Sequence, residues 1–236
     1  VEQILIRSSN VGSVILAKKI GEENYKNFIN QARLTKNPDI ELEEVGVPHK
    51  LTWDRCKLET ISFGHGITTT PLQVTALYSA MVNGGNLIIP SLIKDRKIKK
   101  KKSIISSQTS YELREILRKV VSSEESTASL ADKNGYNVGG KTGTAESYGD
   151  KKNRINTFIS YFPSNNPKYS FFIMLENPKI NKNLVYNYRG IKTKAPYNTS
   201  GWNSVYVAGK IIEKIGPILA INNEDFTDHY VAEKLN

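Results

Sequence analysis

The sequence predicts an α+β domain, an antiparallel sheet flanked by helices, and three observations carry that prediction. Apolar residues recur at helical spacing through the first half of the chain, as at Val74, Leu77, Tyr78 and Met81. The period then changes, and the runs Asn137–Glu146, Thr157–Phe162 and Tyr169–Leu175 read as strands, the last two joined by the turn 163-PSNNPK-168. A helical stripe of Val205, Ala208, Ile212 and Ile215 returns near the end. Helices, then adjacent strands, then a closing helix place the helices on the faces of the sheet. No internal repeat and no interdomain linker interrupts this order.

The elements follow along the chain. Val11, Val14 and Ile15 open a helical stripe directly after Ser8-Ser9-Asn10, a natural capping segment, and Gly21 ends it. Tyr25, Phe28 and Ile29 mark a second helix. Residues 35–60, with Pro38, Pro48 and Trp53, show no sustained period and read as irregular. Thr70 caps the next helix, Pro71 sits at its first position, and Asn83-Gly84-Gly85 stops it. Leu113, Ile116, Leu117 and Val120 repeat the spacing in a helix from about Ser110 to Val121. The domain is expected to span residues 1–221, followed by a polar, frayed tail at 222–236.

Bulk composition narrows the possible functions. The 236 residues are 39% hydrophobic and 24% charged, as in ordinary soluble globular proteins. One cysteine, Cys56, forms no internal disulfide and is expected to be a small buried or half-buried apolar group. His49, His65 and His229 are scattered, so no metal site is expected and no cofactor motif is present. No apolar run approaches the roughly 18 residues of a membrane span. The chain opens at Val1 straight into a helical pattern, so a targeting or anchoring segment is expected upstream. The net charge of +10, sharpest at Lys97–Lys102, raises nucleic acid as a partner. Without a helix-turn-helix signature, a zinc finger or interleaved aromatics, that run reads as a solvated loop, and no nucleic-acid partner is expected.

The chemistry concentrates in 137-NVGGKTGTAES-147. Two glycines weaken a strand, so Gly139 and Gly140 make sense where something must lie close to the backbone. Lys141 and the hydroxyls of Thr142 and Thr144 then suit an anionic, strand-like ligand.

Ser8-Ser9-Asn10 and Lys141-Thr142-Gly143 together match two of the three motifs of penicillin-binding proteins and class A β-lactamases. With 63-FGHGITTTPLQVTALYSAMVNGG-85, 139-GGKTGTAES-147 and 201-GWNSVYVAGKIIEKI-215, the chain resembles the transpeptidase domain of a class B penicillin-binding protein of the cell-division type. The likeness runs from Ser8 to about Ile218. It implies the penicillin-binding protein and serine β-lactamase fold, and it implies a missing part. In this family the nucleophile is the serine of Ser-x-x-Lys, upstream of the serine–x–asparagine triplet, and this chain begins only seven residues before Ser8. The nucleophile is therefore expected upstream of Val1, in a domain truncated at its N-terminus. Ser91-Leu92-Ile93-Lys94 fits the pattern but follows the triplet and sits in an extended, Pro90-led stretch.

The resemblance also implies roles. Ser8 relays a proton between the missing lysine and the leaving group, Asn10 holds the donor peptide's amide, and Lys141 adds positive potential to the Ser8 network. Thr142 and Thr144 bind the terminal carboxylate, the Thr144 N–H forms half of the oxyanion hole, and Gly143 leaves room for the acyl group. His65, in a tight glycine loop, has no catalytic part. The implied partners are peptidoglycan stem peptides, β-lactams and division proteins including a glycan polymerase. The implied location is the inner membrane, with the catalytic domain on the periplasmic side. Two alternatives stay open: an inactive binding or scaffold module that keeps the cleft, and a serine β-lactamase relative.

Overall fold

A single strand, β4 (Asp150–Phe162), organises the molecule. The computed structural model describes residues 1–94, 102–147 and 150–221. Within it β4 lies between β3 (Gly139–Ser147) and β5 (Tyr169–Glu176), antiparallel to both. Successive side chains of a strand point to opposite faces, and β4 uses this fully. Phe158 and Phe162 face one cluster with Val120, Val121, Val138, Val205, Ala208 and Ile212. Ile159 and Tyr161 face the other with Tyr78, Val82 and Leu117. Each such side chain stabilises the fold by about 1.5–3 kcal/mol on burial. The helix α7 (Ser204–Ile221) covers the first face, and α5 (Pro71–Val82) covers the second. The long helix α6 (Ser107–Ser122) reaches both clusters, through Leu117 on one side and Val120 and Val121 on the other.

The N-terminal helices are α1 (Glu2–Ile6), α2 (Asn10–Ile20), α3 (Glu22–Gln31) and α4 (Lys57–Ser62). Caps fix the starts that position the rest. Ser9 accepts from the Gly12 N–H at the head of α2, and Ser106 accepts from Thr109 N–H at α6. At α5, Thr70 and Gln73 form a complete capping box with Pro71 in the first turn. Two small ribbons complete the fold: β1 (Asn86–Leu87) with β2 (Lys102–Ser103), and β6 (Tyr186–Tyr188) with β7 (Ile191–Thr193). Among the described residues, no helix is long and apolar enough to cross a membrane.

Several expectations need correction. Residues 57–60, the end of the stretch 35–60 read as irregular, belong to α4 (Lys57–Ser62). The α6 helix begins three residues before Ser110. β4 begins at Asp150, not Thr157, because its charged first half pairs with β3 in an arm where Arg154 opposes Glu146. The apolar stripe of α2 is covered only in part: Val14 is half-buried, while Val11 is 71% and Ile15 52% exposed. Cys56 is exposed and takes a left-handed conformation ahead of α4. Residues 97–101 of the lysine run and the tail at 222–236 lie outside the described residues.

Candidate active site

Two distant segments meet to form the site. Ile6 packs α1 into the core beside Val120 and Val121 of α6. Exposed ion pairs from Glu2 to Lys119 of α6, and from Arg7 to Glu125 in the loop after it, lie at the same contact. The bend into α2 is closed by Ser8 N–H to Leu5 O at 3.3 Å and Ser9 N–H to Ile4 O at 2.9 Å. Within that bend Ser8 adopts φ 54°, a left-handed conformation that costs a non-glycine residue about 1–2 kcal/mol. The bend brings the Ser8 hydroxyl to β3. Lys141 Nζ donates to Ser8 Oγ at 2.6 Å and to the Thr142 carbonyl at 3.1 Å. Burial pushes the Lys141 ammonium down to about 8. Near neutral pH, then, about a tenth of these lysines are already deprotonated. Lys141 can both supply a proton to Ser8 and take one back.

β3 pairs only with β4 among the described strands, so its other edge is left to the cleft. Thr142 Oγ1 lies 3.3 Å from Thr127 Oγ1, and Thr144 Oγ1 lies 2.8 Å from Ser200 Oγ. Ser8, Asn10, Lys141, Thr142, Gly143 and Thr144 all line one cavity of about 690 Å³, with Phe63, Tyr188 and Trp202 among its walls. All six candidate site residues are thus in the same cleft. Asn10 opens α2 and is exposed there.

The close approach expected at the glycines is made by another segment of the chain. A Cβ on Gly139 would come within 2.4 Å of the Tyr161 ring, and one on Gly140 within 2.6 Å of the Phe158 ring. The protein's own buried aromatics, not an incoming ligand, occupy the space these side chains would need. A Cβ on Gly143 would meet Thr157 Oγ1 at 2.5 Å, a neighbour on β4.

The residues set aside stay apart from the cleft. Ser91 donates to Glu41 at 2.7 Å, and neither it nor His65, which is exposed, lines the cavity. Thr127 and Ser200 are cleft residues that the sequence reading missed. The only signal was a hydroxyl beside a glycine in 199-TSGW-202. Among the described residues no group of His, Cys, Asp and Glu could hold a metal ion.

A hydroxyl paired with a lysine of lowered pKa, beside a free strand edge carrying hydroxyls, can move a proton next to a bound carboxylate. Comparison with known proteins gives the family and the fold. Residues 1–199 match the family described as the penicillin binding protein transpeptidase domain. The chain is 31% identical to the probable peptidoglycan D,D-transpeptidase FtsI of Caulobacter vibrioides, over 94% of this chain and 38% of that protein. It is 33% identical to the stage V sporulation protein D of Bacillus subtilis, over 75% of this chain and 30% of that one. It therefore spans about a third of the length of these relatives. Crystal structures share the fold. Penicillin-binding protein 3 of Mycobacterium tuberculosis with aztreonam superposes at TM-score 0.76 and 24% identity, over 91% of this chain and 51% of that one. The transpeptidase domain of penicillin-binding protein 3 from Burkholderia pseudomallei gives 0.76 and 22%, over 92% and 64%. By sequence, fold and the grouping of its cleft residues, the chain belongs to the penicillin-binding protein transpeptidase family.

Proposed function

We propose that this chain is the donor-gripping and proton-relaying part of a peptidoglycan D,D-transpeptidase, working with a Ser-x-x-Lys nucleophile N-terminal to Val1. In the proposed reaction the serine Oγ attacks the carbonyl of the penultimate D-alanine of a stem peptide. The C–N bond breaks, the terminal D-alanine leaves as the free amine, and an acyl-enzyme ester remains. The amine of a second stem peptide then attacks that ester, forming the cross-link and returning the serine. The serine's proton goes to the lysine of its own Ser-x-x-Lys turn and reaches the leaving amine through the Ser8 hydroxyl, which Lys141 holds and polarises. In the second step the attacking amine's proton returns to the serine by the same route. Asn10 holds the donor's amide. Thr142 and Thr144 receive the terminal carboxylate, and the Thr144 N–H stabilises the oxyanion together with the nucleophile's own N–H. A β-lactam carries the same carboxylate beside a strained amide and would be attacked in the same way.

The observation that carries this reading is the 2.6 Å contact between Lys141 and Ser8, residues 133 apart, at the threonine-lined edge of β3. The proposed setting is septal wall synthesis, beside a glycan polymerase and other division proteins, outside the inner membrane and tethered to it. The sequence resemblance to cell-division penicillin-binding proteins supports that setting, and the FtsI relative's name supports the D,D-transpeptidase activity alone. Intact-mass spectrometry after benzylpenicillin tests the proposal, on this chain and on one extended upstream to include Ser-x-x-Lys. One penicilloyl mass on the upstream serine of the extended chain alone is the expected result. Acylation of neither chain would leave a binding module that retains the cleft, and an adduct at Ser8 or Ser91 would overturn the assignment of roles.

A further inference from the structure

We infer that Ser200 is a latch on Thr144: in the empty cleft it engages the Thr144 hydroxyl, and an entering carboxylate must displace it. The inference rests on the donor-binding role proposed above for Thr142 and Thr144, and it comes from counting protons. Ser200 opens the short 3-10 turn Ser200–Trp202 and is 1% exposed. Its hydroxyl donates to the Gly143 carbonyl. A carbonyl oxygen has no proton to give, so the single Ser200 hydroxyl proton is used there. The 2.8 Å bond between Thr144 Oγ1 and Ser200 Oγ must then be donated by Thr144. The Ser200 N–H also donates to Thr144 Oγ1, at 3.3 Å, which fixes that oxygen as an acceptor from behind. Two hydroxyl protons enter this pair, and neither is left over: that of Thr144 lies on Ser200 Oγ and that of Ser200 on the Gly143 carbonyl.

The neighbouring pair counts differently. Thr127 and Thr142 share one contact of 3.3 Å, which either can donate. One bond uses one proton, and the other hydroxyl proton remains available to a ligand. The turn carrying Ser200 runs close against the Thr127 loop, since a Cβ on Gly201 would lie 2.8 Å from the Thr127 carbonyl. An entering carboxylate therefore meets one ready donor, from Thr142 and Thr127, and one that must first break its bond to Ser200. Ser200 acts through Thr144 and is a positioning residue whose hydroxyl weakens carboxylate binding. Removing it should tighten that binding by about twofold to tenfold, the worth of one net hydrogen bond.

The test is titration of this chain with N-acetyl-D-alanyl-D-alanine and with its uncharged C-terminal amide, followed at the Thr144 backbone amide by NMR. Ser200→Ala is expected to bind the acid about twofold to tenfold more tightly and to leave the amide's affinity where it was. Adding Thr144→Val to Ser200→Ala should erase the gain. Equal or weaker binding of the acid by Ser200→Ala, or an equal gain on the amide, would overturn the latch and make Ser200 a structural support. Should Ser200→Ala fail to fold, the wild-type background decides alone. There Thr144→Val is expected to cost the acid clearly less affinity than Thr142→Val, and an equal or greater cost sinks the inference. A wild-type chain that binds no acid fails the donor-binding role itself and takes the latch with it. Binding by the wild type without tightening by Ser200→Ala fails the latch alone.

Discussion

Lys141 and Ser8 are the residues on which the proposed chemistry turns, and the lysine's environment has a measurable signature. Its folded pKa of about 8 lies below the ordinary 10.5, so between those values the unfolded chain binds more protons than the folded one. Stability must then rise with pH across that window, and the cost of burying the charge is fully present below about pH 8. Chemical denaturation from pH 7 to 10.5 should show wild type gaining on Lys141→Met as pH rises, and a flat difference would mean the lysine is solvated. In the intact enzyme proposed above, Lys141→Ala should lower the rate of acylation by benzylpenicillin by about 10²–10⁴-fold, the usual worth of a positioned proton-transfer group. Gly140 gives a prediction of a different kind. A methyl there would meet both the Phe158 ring and the Ile159 carbonyl at under 3 Å, so Gly140→Ala should cost about 1–3 kcal/mol in urea denaturation.

Among the elements, the C-terminal end of α6 links packing to the cleft. The buried Ser126 hydroxyl is shared between the Val120 and Val121 carbonyls at 2.7 and 2.9 Å, and it accepts from the Ala128 N–H at 3.0 Å. It closes the helix and sets the loop that carries Thr127. Ser126→Ala should therefore destabilise the protein by about 1–3 kcal/mol, read by thermal or urea denaturation, because it orphans buried backbone groups. The sequence made the main helices, though not α4, and six cleft residues legible, since capping chemistry and the motifs around Ser8 and Lys141 are local. It did not reveal Ser200 or Thr127, whose partners lie 56 and 15 residues away and are set by tertiary contact. Periodicity showed that α2 has an apolar stripe at Val11 and Ile15, but a stripe carries no information on whether another element covers it. The first half of β4 was hidden because 150-DKKNRIN-156 is polar on both faces and is held by cross-strand pairing. Gly139 and Gly140 could be read as places that reject a side chain, while what fills the space, Tyr161 and Phe158, lies on another strand.

In the whole molecule, the sheet has two unequal edges. β3 gives its outer edge to the cleft, whereas no described strand pairs with the outer edge of β5, and Met174 on that strand is 50% exposed. An eight-residue strand with an open edge is a template for association between copies. Met174→Lys should slow aggregation of this chain, followed by light scattering, while shifting its unfolding free energy by no more than about 0.5 kcal/mol. The contact between Ser8 and Lys141 has a consequence in time as well as in space. Bringing together groups 133 residues apart costs about 4 kcal/mol of loop entropy, which must be offset by the sheet and its two helical layers before the contact can hold. The cleft is thus among the last parts of the molecule to be assembled. In refolding from urea, the capacity to bind a carboxylate ligand should return in the slowest phase, after helical signal and core fluorescence have recovered.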